Sequence, residues 1–268
     1  MIRLQVNERE LHVKNGTTLF ELRDEVMPLA DMVIFNGYTI RYDTILHEGD
    51  VVVLITRNRR PTSAELESLL VARHTPGVHA KVKQATVGVA GVGGLGSAVA
   101  IALVRTGIGR IVLADFDLVA PSNLNRQQYF LDQLGTPKVV ALAETLQRIN
   151  PYTEVVQRNL EVTRANASKL FRDCQIVAEC FDEPRAKAML VQALAGEKTV
   201  VASSGVAGCG SANEIRTTRR LDGLYVVGDE ISEAAPGRGL MAPRVGVAAH
   251  HQANAILRLI LGEDPCHD

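Results

Sequence analysis

The chain has 268 residues, 46% hydrophobic and 22% charged, enough apolar content for one large domain or a large one beside a small one. A formal net charge of −1 gives no general attraction to nucleic acid or to an anionic membrane, so neither is expected as a partner and basic clusters are read locally. The opening "MIRLQVNERELHV" lacks the order of a signal peptide, and Cys174, Cys180, Cys209 and Cys266 form no Cys-x-x-Cys pair, so the expectation is a reduced, cytoplasmic setting without zinc.

Ile2, Leu4 and Val6 alternate, and so do Leu11 and Val13 beyond "NERE", which predicts a hairpin. Thr18 and Glu21 in "TLFE" have capping-box spacing and open a helix to about Met27. "MVIF", an Asn36-Gly37 turn, "YTI" and then "VVVLI" after "HEGD" read as further strands. Residues 1–56 therefore read as a β-grasp domain. It resembles the ubiquitin-like sulfur carriers ThiS and MoaD, most clearly in "FNGYTIRYDTILHEGDVVVLI". Those carriers react through a free C-terminal Gly-Gly. Here "TRNRRPTSAE" follows, so there is no carboxylate to activate, and a docking or regulatory role is expected.

Residues 57–80 are expected to be a linker with a short helix, opened by Thr62 and Glu65 and ending near Ala72. Residues 81–268 form the main domain. The uncharged run "TVGVAGVGGLGSAVAIALV" (86–104) is nearly long enough to span a bilayer, but five of its nineteen residues are glycine. A buried strand, a turn and a helix over 95–106 fit it better. Strand "RIVLAD", helix 137–149, strand "EVVQRN", helix 165–172, strand "QIVAEC", helix 184–195 and strand "TVVASSG" follow in alternation. A hairpin in "EIRTTRRLDGLYVVG" and a long helix over 243–261 close the domain. The fold class expected is α/β, a Rossmann-like, doubly wound, mostly parallel sheet preceded by the β-grasp.

"GVGGLG" places Gly91, Gly93 and Gly96 in the G-x-G-x-x-G pattern, with Gly94 between them, after a strand and at the start of a helix. Glycine permits close approach of backbone to phosphate, and the helix N-terminus supplies partial positive charge. Asp115 ends the next strand, where a carboxylate holds ribose hydroxyls. These features alone leave the nucleotide open, an NAD-dependent dehydrogenase included. Asn123, Asn125, Arg126 and Gln127 then follow, and Lys138 sits at a helix start, where its charge opposes the macrodipole unless an anion is near. Cations gathered about a nucleotide suit attack on a triphosphate. Asp182, in "CFDEPRAK", ends another buried strand. It reads either as a helix N-cap before Pro184 or as a carboxylate holding Mg²⁺.

At this point the sequence closely resembles the ThiF/MoeB/HesA adenylyltransferases, relatives of the ubiquitin-activating enzymes. "GVGGLGS", "DFDLVAPSNLNRQ", "GTPK", "RINP", "CFDEPRAK" and "GLMAPRVGV" carry the resemblance, in family order over most of residues 85–262. It implies an enzyme that binds ATP and Mg²⁺ and adenylates the C-terminal carboxylate of a ThiS-like sulfur-carrier protein, releasing pyrophosphate. It places Asp115 on the ribose and Asn123, Arg126 and Lys138 on phosphates, with Gln127 in support and Asp182 on the metal. It further implies a homodimer, in which Arg73 in "ARHTPGVH" is the candidate to reach the neighbour's site. Thiamine-type sulfur transfer is the natural pathway, with molybdopterin-type transfer as an alternative. The chain departs from the family in Glu183, where most members have Asn, and in lacking the two Cys-x-x-Cys pairs. The crossover loop "GDEISEAAPGRGLMAP" also has no cysteine. Cys180 is expected to be core. The other functional reading is a nucleotide-binding, carrier-docking or regulatory protein without productive adenylylation.

Overall fold

The computed structural model describes every residue except Glu8, Pro76, His267 and Asp268. The chain divides into two compact units, Met1–His79 and Ala80–Asp268. The first contains β1 (Ile2–Val6), β2 (Arg9–Val13), α1 (Leu19–Val26), β3 (Met32–Phe35), β4 (Tyr38–Ile40), β5 (Val51–Ile55) and α2 (Ser63–Val71). Its sheet has the order β2-β1-β5-β3-β4, with β1 and β5 parallel and the other neighbours antiparallel. This is the β-grasp. Leu19 and Leu22 of α1 are buried in one cluster with Leu4, Val6, Val52 and Leu54 of the sheet. Both expected capping boxes are formed: Thr18 and Glu21 open α1, and Thr62 and Glu65 open α2. Asn36 and Gly37 both take positive φ, as a tight hairpin turn requires.

Helix α3 (Val78–Gln84) is an element that the sequence pattern does not announce, since Val82 is its one fully buried apolar residue. Beyond it lie β6 (Thr86–Ala90), α4 (Gly94–Arg105), β7 (Arg110–Asp115), α5 (Lys138–Ile149), β8 (Glu154–Asn159) and α6 (Ala167–Leu170). β9 (Ile176–Glu179), α7 (Pro184–Leu194), β10 (Thr199–Ser203), β11 (Arg216–Leu221), β12 (Leu224–Gly228) and α8 (Ala242–Leu261) complete the chain. The seven strands run in the order β11-β12-β10-β9-β6-β7-β8, parallel throughout except for β11 at the edge. The helix expected over 165–172 is a single turn. The chain leaves it to bury Phe171 beneath β6, where Gly88 leaves room for the ring. Among the described residues no helix is long and apolar enough to cross a membrane.

Because β6 is flanked by β7 on one side and β9 on the other, the winding direction reverses between β6 and β9. Open α/β sheets bind ligands at the carboxyl edge of that crevice. The residues after Ala90 and after Glu179 therefore stand where the fold offers a site.

Candidate functional site

Gly91 turns the chain out of β6 with φ of +83°, and a Cβ there would lie 3.0 Å from the carbonyl oxygen of Cys180 and 3.0 Å from the Phe181 ring. The crevice is thus closed tightly at its floor. Gly93 is the N-cap of α4 and has no side chain to cover the first turn, so the amides there remain open to an anion. Gly94 faces Arg126 and Val245, and Gly96 packs directly on the carbonyl of Gly91. The Asp115 carboxylate braces this loop. Oδ2 accepts the Val92 N–H at 2.7 Å and Oδ1 accepts the Asp117 N–H at 2.8 Å. Burial pushes its carboxyl above the usual carboxylate range, against the pull of those two amides and of Lys138. Each oxygen keeps a lone pair for a further donor.

The loop from 116 to 137 folds back over the glycine turn. Ser97 Oγ donates to the Gly93 carbonyl at 2.6 Å and accepts the Gln128 N–H at 3.2 Å, while the Tyr129 hydroxyl donates to the Val92 carbonyl at 2.6 Å. Asn123 Oδ1 accepts the Ala120 N–H and closes a short turn, leaving its amide NH₂ unengaged among the described residues. Arg126 uses Nη1 on the Ser122 carbonyl and on Asn125 Oδ1, and keeps its other donors free. Gln127 is buried beside Gly93, and its Oε1 has no partner among the described residues. An amide whose O and N interchange by a flip, orphaned next to an uncapped helix start, fits a polar ligand.

Lys138 opens α5, buried, and its ammonium donates to Asp117 Oδ2 at 2.7 Å. The anion that the sequence reading required at this position is thus supplied in part by the protein itself. Asp117 was not singled out from the sequence. The only hint was its place two residues after Asp115, on the same side of an extended segment.

Glu183 decides how Asp182 is read. Glu183, not Asp182, is the N-cap of α7. Its carboxylate accepts the N–H groups of Arg185 at 3.3 Å and Ala186 at 2.9 Å. Asp182, three residues past the end of β9, is left exposed, with no hydrogen bond or ion pair among the described residues. Glu183→Ala is expected to destabilise the unit by about 1 kcal/mol, as loss of a cap does. Chemical denaturation measures this, and an unchanged midpoint would show that the cap contributes nothing.

A carboxylate with free lone pairs is a donor that Mg²⁺ takes when substrate phosphates complete its shell. Among the described residues no group of three or more His, Cys, Asp or Glu could hold a metal on protein ligands alone. Cys180 is core: it is buried, its thiol lies 3.5 Å from Gln252 Oε1, and burial pushes that thiol far up. Arg73 is exposed in the first unit, on the turn after α2.

A cleft of about 840 Å³ opens beside β11 and β12, walled by Ala207–Gly210 and by residues between Asp229 and Met241. Arg244 of α8 is buried at its base and donates to Asp229 Oδ2 at 2.5 Å and to the Ser211 carbonyl at 2.6 Å. Asp229 loses by burial but gains more from the Ser232 and Ile231 amides, the Ser232 hydroxyl and Arg244, which hold its carboxyl down at about 2. The sequence reading singles out neither residue, because the pairing joins the loop after β12 to α8 across fifteen residues.

Residues 67–267 match the ThiF family, and residues 2–58 match the ThiS-like ubiquitin family. The chain belongs to the ThiF family. Among relatives of this ThiF-family chain, ubiquitin-like modifier-activating enzyme 5 of Culex quinquefasciatus is 32% identical over 162 residues, which are 58% of this chain and 38% of that protein. Adenylyltransferase and sulfurtransferase MOCS3 of Danio rerio is 31% identical over 63% of this chain and 33% of its own length. The chain thus spans only part of these curated relatives, 38% of one and 33% of the other. The E. coli tRNA N6-threonylcarbamoyladenosine dehydratase TcdA, solved with ATP, superposes with a TM-score of 0.68 at 23% identity, covering 75% of this chain and 96% of that one. That likeness establishes the ThiF-type fold.

Proposed function

We propose that the chain adenylates the C-terminal carboxylate of a ubiquitin-like sulfur carrier of the ThiS kind, consuming ATP and releasing pyrophosphate. The reading is supported by the contact of the Gly91 turn with Cys180 and Phe181, the two residues before the exposed Asp182, next to the uncapped start of α4. The open amides of the glycine loop take phosphate oxygens, Asp115 takes the ribose, and the orphaned Gln127 amide supports them. A carrier carboxylate oxygen attacks the α-phosphorus. The bond to the bridging oxygen breaks, and pyrophosphate leaves with the electron pair. Arg126, Lys138 and the amide of Asn123 stabilise the charge that develops. Asp182 would hold Mg²⁺, which when bound neutralises phosphate charge and orients the leaving group.

The glycine-walled cleft beside β12 suits the extended tail of the carrier, since Gly208, Gly210, Gly237 and Gly239 present backbone without side chains. The working form is a homodimer acting in the cytoplasm, with Arg73 reaching a neighbouring site, and the pathway is thiamine-type sulfur transfer. A second reading, nucleotide binding and carrier docking without adenylylation, is favoured by the β-grasp unit, whose last strand runs on towards α2 instead of ending in Gly-Gly. ATP–pyrophosphate exchange with purified carriers separates the two. Exchange that requires a carrier with a free Gly-Gly carboxylate supports adenylylation, whereas ATP binding without exchange supports docking.

A further inference from the structure

The Glu179 carboxylate is fully buried at the end of β9, three residues before Asp182, and the mechanism above does not use it. Its Oε1 accepts the Phe181 N–H at 2.7 Å. Lys187, one turn into α7, places its ammonium 3.3 and 3.1 Å from the two carboxylate oxygens and 3.0 Å from the Ser203 carbonyl at the end of β10. The last ladder bond of β9 towards β6 is Cys180 N–H to the Ala90 carbonyl. Beyond it the Phe181 amide meets the Glu179 side chain instead of a neighbouring strand.

On the other side, Gln252 of α8 donates to the carbonyls of Glu179 and Val201, joining β9 and β10 where their ladder ends. A buried ion pair is commonly no more stable than well-packed apolar residues of the same volume, so stability alone gives it little reason to exist. Burial pushes the Glu179 carboxyl up, and the Lys187 ammonium and the Phe181 amide pull it down. The Phe181 amide and the Lys187 ammonium both donate to this carboxylate, which serves as the acceptor for Phe181.

We propose that Glu179 is a positioning residue: it anchors the Phe181 amide so that Asp182 stands at the crevice, while Lys187 balances the buried charge and donates to the Ser203 carbonyl at the end of β10. This rests on the reading of Asp182 given above. Two double variants test it. Glu179→Gln with Lys187→Met removes both charges and keeps the acceptor for Phe181. Glu179→Leu with Lys187→Met removes the acceptor as well.

In the unaltered chain the Phe181 amide exchanges hydrogen slowly although it lies past the strand end. The Gln/Met variant keeps that protection. The Leu/Met variant is expected to lose it by about 10-fold or more, to lose the Mg²⁺-dependent gain in ATP affinity measured by calorimetry, and to drop in exchange kcat by about 10-fold with little change in KM. Fast Phe181 exchange in the unaltered chain overturns the proposal. So does loss of protection in the Gln/Met variant, or a folded Leu/Met variant with protection and Mg²⁺ gain intact. Absence of pyrophosphate exchange in the unaltered chain would overturn the activity alone, because hydrogen exchange and calorimetry judge the anchoring independently of turnover.

Discussion

Asp182→Ala and Arg126→Ala are each expected to lower carrier-dependent ATP–pyrophosphate exchange by about two orders of magnitude or more, the usual consequence of deleting one charge contact in a transition state. The two residues are suited to the test because neither stabilises the fold appreciably. Asp182 is exposed and unpartnered among the described residues, and Arg126 spends one nitrogen on its own loop. Thermal unfolding should therefore move little, by about 0.5 kcal/mol or less, as surface substitutions do. Lys138→Ala is a poorer probe. It strands Asp117 and empties a buried position, so a loss of exchange would mix chemistry with destabilisation. If both Asp182→Ala and Arg126→Ala exchange at the unaltered rate, the adenylylation mechanism is wrong whatever the fold.

The elements were legible in the sequence wherever local rules act alone. Thr18 with Glu21 and Thr62 with Glu65 announce helix starts because a capping box closes within three residues. Asn36-Gly37 announces its turn because few other residues accept positive φ twice in succession. Gly91, Asp115 and Asp182 each end or follow a strand of the parallel sheet, so their places in the fold were legible, whereas their roles toward a nucleotide belong to the proposal. What the sequence concealed depends on partners far along the chain. The ion pair of Lys138 with Asp117, 21 positions away, is one such contact. Gln252 is an unremarkable polar residue of a long helix until it is found fully buried between two strand carbonyls. Such bonds join residues up to 73 positions apart, and no window of the sequence contains both ends.

The second large effect concerns Gly96. A Cβ at that position would lie 1.9 Å from the Gly91 carbonyl oxygen and 3.0 Å from the carbonyl carbon, both backbone atoms of the turn itself. Backbone in a packed interior cannot swing aside as a side-chain tip does, so α4 and the turn must separate by about an ångström to restore ordinary contact. Separation shifts the open amides at the start of α4 and strains the Val92 bond to Asp115, which holds the loop's shape. Gly96→Ala is therefore expected to cost about 3 kcal/mol in stability, at the upper end of overpacking. It should weaken ATP binding by about 100-fold in calorimetry, the effect of misplacing a positioned group.

Gly94→Ala is the matched control. Its Cβ would meet the Val245 Cγ1 at 3.2 Å, Arg126 Cγ at 3.5 Å and the Arg126 carbonyl oxygen at 3.6 Å, far milder approaches than that at Gly96, and binding should fall by less than about 10-fold. The order of the two variants is what the geometry dictates. Equal ATP affinity in both would mean that the close approach of Gly96 to Gly91 does not shape the nucleotide site.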